Sequence, residues 1–210
     1  MAFPRMKCNL YDSGIGVMLM MRGPGGFTGG KVTDAIVSHV DVFPTICDVA
    51  GIEKPPWLEG VSLVPLADDP AATVREQVFS EVTYHGVYEP MRCIRTNEFK
   101  YIRRFGDRKT VPLPNCDDSP SKTLWVEHGW ANIPIDDEQL YNVIFDPNEQ
   151  NNLADCSAMK PVMDDLRARL EQWMRDTSDP LLDGPVPAPK GAQVNDPDDP
   201  SPRCELKTIE

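Results

Sequence analysis

The stretch that most constrains the fold is residues 7–22, KCNLYDSGIGVMLMMR. A lysine and a tyrosine–aspartate pair precede a glycine-containing turn, and a continuous apolar run follows at residues 17–21. Glycines and a proline at residues 23–26 end the run. A short apolar run between turn signals is typical of a strand that is buried on both faces of a helix-covered sheet. The sequence therefore predicts a core strand at residues 17–21.

The charge balance narrows the set of partners. The chain has 33 acidic and 21 basic residues, and its formal net charge is −12. A surface of this sign repels nucleic-acid phosphates and anionic membranes, so we expect neither as a partner. A local basic pocket can still bind a small anionic substrate. The N-terminus lacks a signal-peptide pattern, and no apolar segment approaches the roughly 18 residues of a membrane span. The localisation therefore stays unknown.

A helix is predicted over residues 39–50. Residues 38–41, SHVD, form the pattern of a capping box, in which the serine and the aspartate each bond a backbone N–H group. Apolar residues follow at helical spacing, and Gly51 is a natural helix stop. A connector rich in proline and glycine comes next, at residues 53–66. We assign residues 1–76 to a first domain.

From residue 77 onward the pattern favours strands. Apolar and polar residues alternate, which is typical of half-buried strands. Strands are predicted at residues 77–82, 91–96, 99–103 and 138–142, with a tight turn at residues 97–98 between the second and third. An amphipathic helix is predicted at residues 159–175, where apolar side chains repeat along one stripe.

Two segments show no regular spacing of apolar residues. Residues 106–137 are rich in proline, and we expect an irregular insertion there. Residues from 184 onward are rich in proline and aspartate, which predicts an extended or disordered tail. We therefore assign residues 77–180 to an antiparallel sheet with a packing helix, and residues 181–210 to the tail.

Motifs along the chain stand in the order found in sulfatases. The first part carries K-x-x-L-Y-D-x-G-I-x-V from Lys7, R-G-P-G from Arg22 and V-S-H-V-D-V-F-P-T-I from Val37. The second part carries P-M-R-x-I-R-T from Pro90, and L-Y followed by D-P-x-E-x-x-N-L within residues 140–153. The chain therefore resembles the C-terminal part of the sulfatase family. Its motifs are most similar to the branch of the heparan N-sulfatases, or N-sulfoglucosamine sulfohydrolases.

This resemblance implies an α/β, alkaline-phosphatase-like sulfatase fold. Of that fold, the chain would hold the C-terminal part of the large α/β domain and a small antiparallel-sheet-and-helix subdomain. The family uses a formylglycine nucleophile, made from a cysteine in a C-x-[PA]-x-R motif, and a Ca²⁺ ion held by carboxylates. None of the six cysteines stands in that motif, and the paired aspartates that bind the metal are missing. Ca²⁺ is thus implied by the family, with ligands that this chain does not contain.

The resemblance also assigns three candidate site residues. Lys7 corresponds to the basic residue that contacts and polarises the sulfate, and a compact ammonium with three donors suits that role. His85 lies in a loop that faces the active-site opening in this branch, where His85 and Arg92 would contact an anionic sugar. We take Lys7 and His85 as candidate catalytic residues and all three as candidate substrate-binding residues. Two alternatives stay open: His85 as a loop histidine bonded to a backbone carbonyl, and Arg92 as part of an ion pair within the sheet.

Three functions are compatible with these patterns. The first is a sulfatase-like hydrolase, acting on a sulfate ester or N-sulfate of a sugar, of which this chain is the C-terminal portion. The second is a truncated sulfatase-like module without catalytic activity. The third is a phosphoesterase of the same superfamily. Because the nucleophile motif is missing, we expect the isolated chain to be inactive as a sulfatase.

Overall fold

The computed structural model describes residues 3–210, which form two compact units. One unit consists of residues 18–78 with 95–97, and the other of residues 3–17, 79–94 and 98–210. The predicted first domain starts at Met1 and Ala2, which lie outside the described residues. The domain division proposed from the sequence stays a prediction.

Short helices and two small sheets make up the regular structure. The helices are α1 (Asp12–Ile15), α2 (Val42–Ala50), α3 (Val64–Asp68), α4 (Pro120–Glu127) and α5 (Lys160–Asp176). The strands are β1 (Gln77–Tyr84), β2 (Tyr88–Thr96), β3 (Phe99–Arg104), β4 (Glu138–Asn142), β5 (Gln193–Val194) and β6 (Lys207–Thr208). Single 3₁₀ turns lie at His39–Asp41, Leu113–Asn115, Trp130–Asn132, Ser157–Met159 and Pro180–Leu182. Within residues 3–210, none of these helices has the length and apolar composition that a bilayer crossing requires.

The predicted helix at residues 39–50 is confirmed as a 3₁₀ turn that leads into α2. The Ser38 N–H donates to Asp41 Oδ2 over 2.7 Å, which is one half of the predicted capping box. The other carboxylate oxygen, Oδ1, accepts from the Val61 N–H over 2.8 Å and so fixes the connector. Gly51 ends the helix in the left-handed conformation, with φ of 66°.

The prediction of a buried strand at residues 17–21 is wrong. These residues have no regular structure, and the side chains of Val17, Met18 and Met20 are 61%, 80% and 81% exposed. A strand that is buried on both faces needs neighbouring strands and covering helices. No strand within residues 3–210 pairs with this segment. Its apolar character is local, whereas burial depends on elements elsewhere in a fold.

A four-stranded sheet in the order β1-β2-β3-β4 is the framework of the larger unit. The predicted strands are confirmed, and residues 97–98 join β2 to β3 as expected. Strands β3 and β4 are antiparallel, with Tyr101 opposite Leu140. The predicted helix at residues 159–175 is confirmed as α5.

The two faces of this sheet carry different partners. One apolar cluster joins Ile94, Tyr101 and Leu140 to the buried stripe of α5: Met163, Leu166, Leu170 and Met174. The other cluster joins Met91, Cys93, Ile102, Tyr141 and Val143 to Leu10. Because successive side chains of a strand point to opposite faces, α5 covers one face and the segment around Leu10 covers the other.

The insertion and the tail are more ordered than their composition suggested. Residues 106–137 contain α4, so the expectation of an irregular segment is wrong for residues 120–127. Ser119 caps this helix by accepting the Lys122 N–H over 3.0 Å, and Pro120 occupies the first turn. In the tail, β5 pairs with β6, and the N–H of the buried Asn195 donates to Gly86 O over 2.9 Å.

We expect Leu170→Ala to lower the free energy of unfolding by about 2–5 kcal/mol, because Leu170 is fully buried between α5 and the sheet. Urea denaturation measures the change. Leu124→Ala is the matched control, since Leu124 lies on α4 and is 55% exposed. Equal losses in the two variants would show that α5 does not pack on the sheet as described.

Candidate functional site

The segment that carries Lys7 is anchored on the sheet face opposite α5. Lys100 of β3 is fully buried, and its Nζ donates to Leu10 O over 3.1 Å. The same ammonium pairs with Glu149 Oε1 over 2.8 Å and with the Asp12 carboxylate. A buried charge needs such partners, because an unpaired one costs several kcal/mol. Lys100 therefore binds the residues that follow Lys7 to the sheet.

The residues before Lys7 are fixed as well. The Arg5 guanidinium lies over the Tyr11 ring, 3.6 Å from its centroid, and Arg5 Nη2 donates to Glu149 O over 2.8 Å. Glu149 Oε2 in turn accepts the Asp12 N–H over 2.6 Å. Lys7 thus stands between two anchored positions, while half of its own side chain is exposed.

The Lys7 ammonium is paired with a carboxylate of the insertion. Its Nζ lies 2.6 Å from Asp117 Oδ2, and the two side chains are 50% and 47% exposed. This hydrogen bond raises the pKa of Lys7 and lowers the pKa of Asp117. Lys7 is therefore charged at neutral pH, and its ammonium can hold an anionic oxygen.

The charges of Lys7 and Asp117 both act on His85. Burial lowers the pKa of His85, the Lys7 charge lowers it further, and the Asp117 charge raises it. The two candidate catalytic residues, Lys7 and His85, are therefore coupled electrostatically.

The turn that carries His85 is held from two sides. Asn115 Oδ1 accepts the N–H groups of Gly86 and Val87, over 2.8 and 3.0 Å. Asn195 of the tail bonds the Gly86 carbonyl. A Cβ on Gly86 would lie 2.9 Å from Pro114 O, so this close approach requires glycine. The position of His85 therefore depends on the insertion and on the tail.

The third candidate residue, Arg92, is buried in an ion pair at the sheet. Its side chain is 2% exposed, and its Nε and Nη2 donate to the two carboxylate oxygens of Asp179. Nη1 donates to Val82 O over 3.0 Å and to Met91 O over 2.9 Å. This is the structural alternative, an ion pair at the sheet, and the guanidinium is not brought to Lys7.

The donor set does not fit a metal ion. Within residues 3–210, no group of three or more His, Cys, Asp or Glu side chains is arranged to hold one. Two carboxylates of this region are already engaged: Asp117 by Lys7, and Glu149 by Lys100. We therefore derive no catalytic step through Ca²⁺ on these residues.

Sequence reasoning missed two residues of this site, Asn115 and Asp117. Both lie in the insertion, where several prolines and the lack of a period hid their role. No sequence pattern pairs Asp117 with Lys7, because the two residues are 110 positions apart. Only the folded chain brings them together.

Comparison with known proteins gives a family match over most of the chain. Residues 6–134 match the profile of a family described as "N-sulphoglucosamine sulphohydrolase, C-terminal". This range includes Lys7, His85 and Asp117. The resemblance drawn from the motifs is confirmed.

Individual relatives agree with this match. The chain is 29% identical to an ulvan-active sulfatase of Formosa agariphila, over 95% of this chain and 42% of the relative. It is 27% identical to human N-sulphoglucosamine sulphohydrolase, over 87% of this chain and 41% of the relative. A solved 2-O glycosaminoglycan sulfatase has a TM-score of 0.51 and 26% identity, over 71% of this chain and 27% of that structure. The predicted sulfatase fold is confirmed, and the chain spans less than half the length of these relatives.

We expect Lys7→Ala to raise the pKa of His85, since it removes a positive charge and leaves the negative charge of Asp117. Asp117→Ala should lower the pKa of His85 for the converse reason. NMR titration of the imidazole protons measures both shifts. Lys109→Ala, which removes one partner of another exposed ion pair, is the control and should leave the pKa of His85 unchanged. Titration of His85 at the same pH in wild type, Lys7→Ala and Asp117→Ala would contradict this coupling.

A second prediction concerns the pair of Arg92 and Asp179. Burial opposes ionisation of Asp179, but the hydrogen bonds from Arg92 and the Leu181 N–H outweigh it and lower its pKa. Asp179→Asn should lower the free energy of unfolding at pH 7 by about 3–5 kcal/mol, because it leaves Arg92 buried without its counter-charge.

The pH dependence of this loss tests its cause. A carboxyl whose pKa is lowered by folding stabilises the protein above its unfolded pKa, about 3.9, and this stability is lost as the pH falls. The difference between wild type and Asp179→Asn should therefore shrink as the pH falls below about 4. Asp165→Asn, which removes a carboxylate that is 55% exposed, is the control and should have little effect. A difference that does not vary with pH would contradict the role of this charge.

Proposed function

The chain belongs to the family of N-sulphoglucosamine sulphohydrolase C-terminal regions, and on this premise we propose that it is the sulfate-contacting part of a sulfatase-like hydrolase. The proposed reaction is hydrolysis of a sulfate ester or N-sulfate on a sugar. The names of the relatives support this substrate class: one is an ulvan-active sulfatase, and another is an N-sulphoglucosamine sulphohydrolase.

The observation that carries the proposal is the Lys7 ammonium, which already binds an anionic oxygen of Asp117 at 2.6 Å. A sulfate group offers oxygens of the same kind. As the bond to sulfur breaks, negative charge grows on the leaving atom and redistributes over the sulfate oxygens, and a fixed cation stabilises that charge. Lys7 suits this role because its segment is anchored on both sides while its tip is accessible.

His85 is proposed as the proton donor to the leaving oxygen or nitrogen. In the free protein its pKa lies below the ordinary value, so the imidazole is largely neutral at pH 7. A bound sulfate brings negative charge to the neighbourhood and favours the imidazolium. Substrate binding would thus help to protonate the group that donates the proton.

The attacking nucleophile and the metal ligands are not assigned to this chain. None of its cysteines stands in the formylglycine motif, and the described residues do not fit a metal site. Arg92 has no part in the proposal, because its guanidinium is buried against Asp179. The contribution of this chain is to hold the sulfate and to donate a proton.

A binding experiment on the 210-residue chain tests the role of Lys7. N-sulfoglucosamine is titrated into wild type, Lys7→Ala and Lys109→Ala, with affinity read from NMR chemical shifts. Lys109 is a matched control, since it is also exposed and paired with an aspartate, Asp137. We expect Lys7→Ala to weaken binding by about tenfold or more, the order expected for one charge-assisted hydrogen bond. Binding that survives in Lys7→Ala would overturn the proposal.

Asp117→Asn should have the opposite effect on the affinity for N-sulfoglucosamine. It removes the carboxylate that occupies Lys7, so we expect N-sulfoglucosamine to bind about two- to fivefold more tightly. Asp137→Asn, which frees Lys109 instead, should leave the affinity unchanged. Weaker binding in Asp117→Asn would mean that the aspartate helps to hold the sugar and does not compete with it.

Activity assays separate the remaining functions. We expect no turnover of sulfate esters by the chain alone, and metal-dependent turnover would contradict this. In a longer protein that contains the chain, Lys7→Ala should lower turnover of a sulfate ester by about a hundredfold. A preference of that protein for the matching phosphate ester would favour the phosphoesterase alternative.

A further inference from the structure

The two backbone N–H groups that follow His85 bond the same side chain. Asn115 Oδ1 accepts the N–H groups of Gly86 and Val87, over 2.8 and 3.0 Å. The His85 N–H donates to Val87 O over 3.3 Å, which closes the turn. His85 itself is exposed. Its position is therefore set by the backbone of this turn and, through the turn, by Asn115.

The other end of the Asn115 side chain is bonded to Glu89 of β2. Asn115 Nδ2 donates to Glu89 Oε2 over 2.7 Å, and Nη1 of Arg104 in β3 donates to Glu89 Oε1 over 2.9 Å. The side chains of Arg104 and Glu89 are 6% and 10% exposed, and Asn115 is buried as well. A series of hydrogen bonds therefore connects the sheet to the turn that carries His85.

The carboxylate of Glu89 decides which way the Asn115 amide faces. An amide has a donor end and an acceptor end of nearly the same shape, and its partners determine its orientation. A carboxylate only accepts, so one oxygen can accept from Arg104 and the other from Asn115 Nδ2. The acceptor end of Asn115 then faces the N–H groups of the turn. Those groups need an acceptor, since a buried N–H without one is destabilising.

We propose that Glu89 is a positioning residue for His85 and acts through the Asn115 amide. The sheet thereby fixes the place of the proton donor, although the donor lies on an exposed turn. The role requires two acceptor oxygens on one side chain, which glutamate has and glutamine lacks. This inference rests on the proposed function, since it takes His85 as the proton donor.

Glu89→Gln tests this role, because glutamine keeps the shape of glutamate and loses one acceptor. Its oxygen must accept from Arg104, so its NH₂ group faces Asn115 Nδ2, donor against donor. Asn115 can avoid this contact only by turning over, which leaves the Gly86 and Val87 N–H groups without an acceptor. We expect both N–H groups to exchange with solvent deuterium about tenfold or more faster than in wild type, the order of one lost hydrogen bond.

Two controls separate this effect from a general loosening of the fold. The Leu140 N–H is also bonded by an asparagine, Asn152 Oδ1 over 2.9 Å, and its exchange rate should stay as in wild type. Glu138→Gln removes a carboxylate that pairs with α5, and it should leave the exchange rates of the His85 turn unchanged. If the N–H groups of this turn exchange in Glu89→Gln as they do in wild type, the inference is overturned.

A titration of His85 tests the link to function. In the proposed function, bound N-sulfoglucosamine raises the pKa of His85, and NMR of the imidazole protons measures this shift. In Glu89→Gln the turn is released, so the shift should fall to less than about half of its wild-type size, because the attraction between charges weakens with distance. Lys7 is intact in this variant, and we expect the affinity for N-sulfoglucosamine to stay within about twofold of wild type. A full shift in Glu89→Gln would contradict the positioning role.

Asn115→Asp tests the same contact if Glu89→Gln does not fold. The new carboxylate would face the carboxylate of Glu89, and two carboxylates at hydrogen-bond distance share a proton, which raises one pKa of the pair above the unfolded value. The resulting stabilisation is present at low pH and is lost as the pH rises through the raised pKa. The urea midpoint of Asn115→Asp should therefore lie further below that of wild type at about pH 7 than at about pH 5. An equal deficit at both pH values would overturn the inference.

Failure of the proposed function gives a different result. If N-sulfoglucosamine leaves the pKa of His85 unchanged in wild type, His85 is not the proton donor, and the positioning role fails with it. The exchange rates of the turn would still show whether Glu89 holds it in place.

Discussion

The buried ammonium of Lys100 is the interaction on which the site side of the sheet depends. It is inaccessible to solvent, and its partners are Leu10 O, the Asp12 carboxylate and the Glu149 carboxylate. Because a buried charge without partners costs several kcal/mol, strand β3, the segment after Lys7 and the turn at Glu149 are held together. Glu149 adopts the unusual φ of 52°, which brings its side chain and its carbonyl to the same segment. The position of Lys7 follows from this arrangement.

Because side chains alternate along each strand, one face of the sheet packs against α5 and the other carries the Lys7 segment. In β2, Met91 and Cys93 face the Lys7 segment, whereas Ile94 packs against α5. Arg92 has the parity of Ile94, and its partner Asp179 follows α5 in the chain. The same alternation puts Arg104 and Ile102 of β3 on one face, and Arg103, which pairs with Glu171 of α5, on the other. Cations that are neighbours in sequence thus have different roles.

Local signals predicted the local structure. The capping box and Gly51 gave the helix at residues 39–50, and alternation with a two-residue turn gave the strands, because these patterns act over a few residues. The alternation of side chains along the predicted strand at residues 91–96 also applies to Arg92. It would have predicted that the guanidinium lies on the sheet face opposite the Lys7 segment. The exposure of residues 17–21 was not predictable, since burial depends on elements elsewhere. Nor was the pairing of Asp117 with Lys7, which only the folded chain forms.

The site combines buried ion pairs that fix the Lys7 segment with a weak, exposed ion pair at the Lys7 ammonium. The groups that position Lys7 are buried, so breaking the pair of Lys100 and Glu149 would cost about 3–5 kcal/mol. The pair of Lys7 and Asp117 is about half exposed on each side, and such pairs contribute only about 0–1 kcal/mol. An incoming anion can therefore displace Asp117 at little cost, while the Lys7 backbone stays in place. In the proposed function, this difference lets Lys7 hold a carboxylate of its own chain at rest and remain available to the sulfate of a substrate.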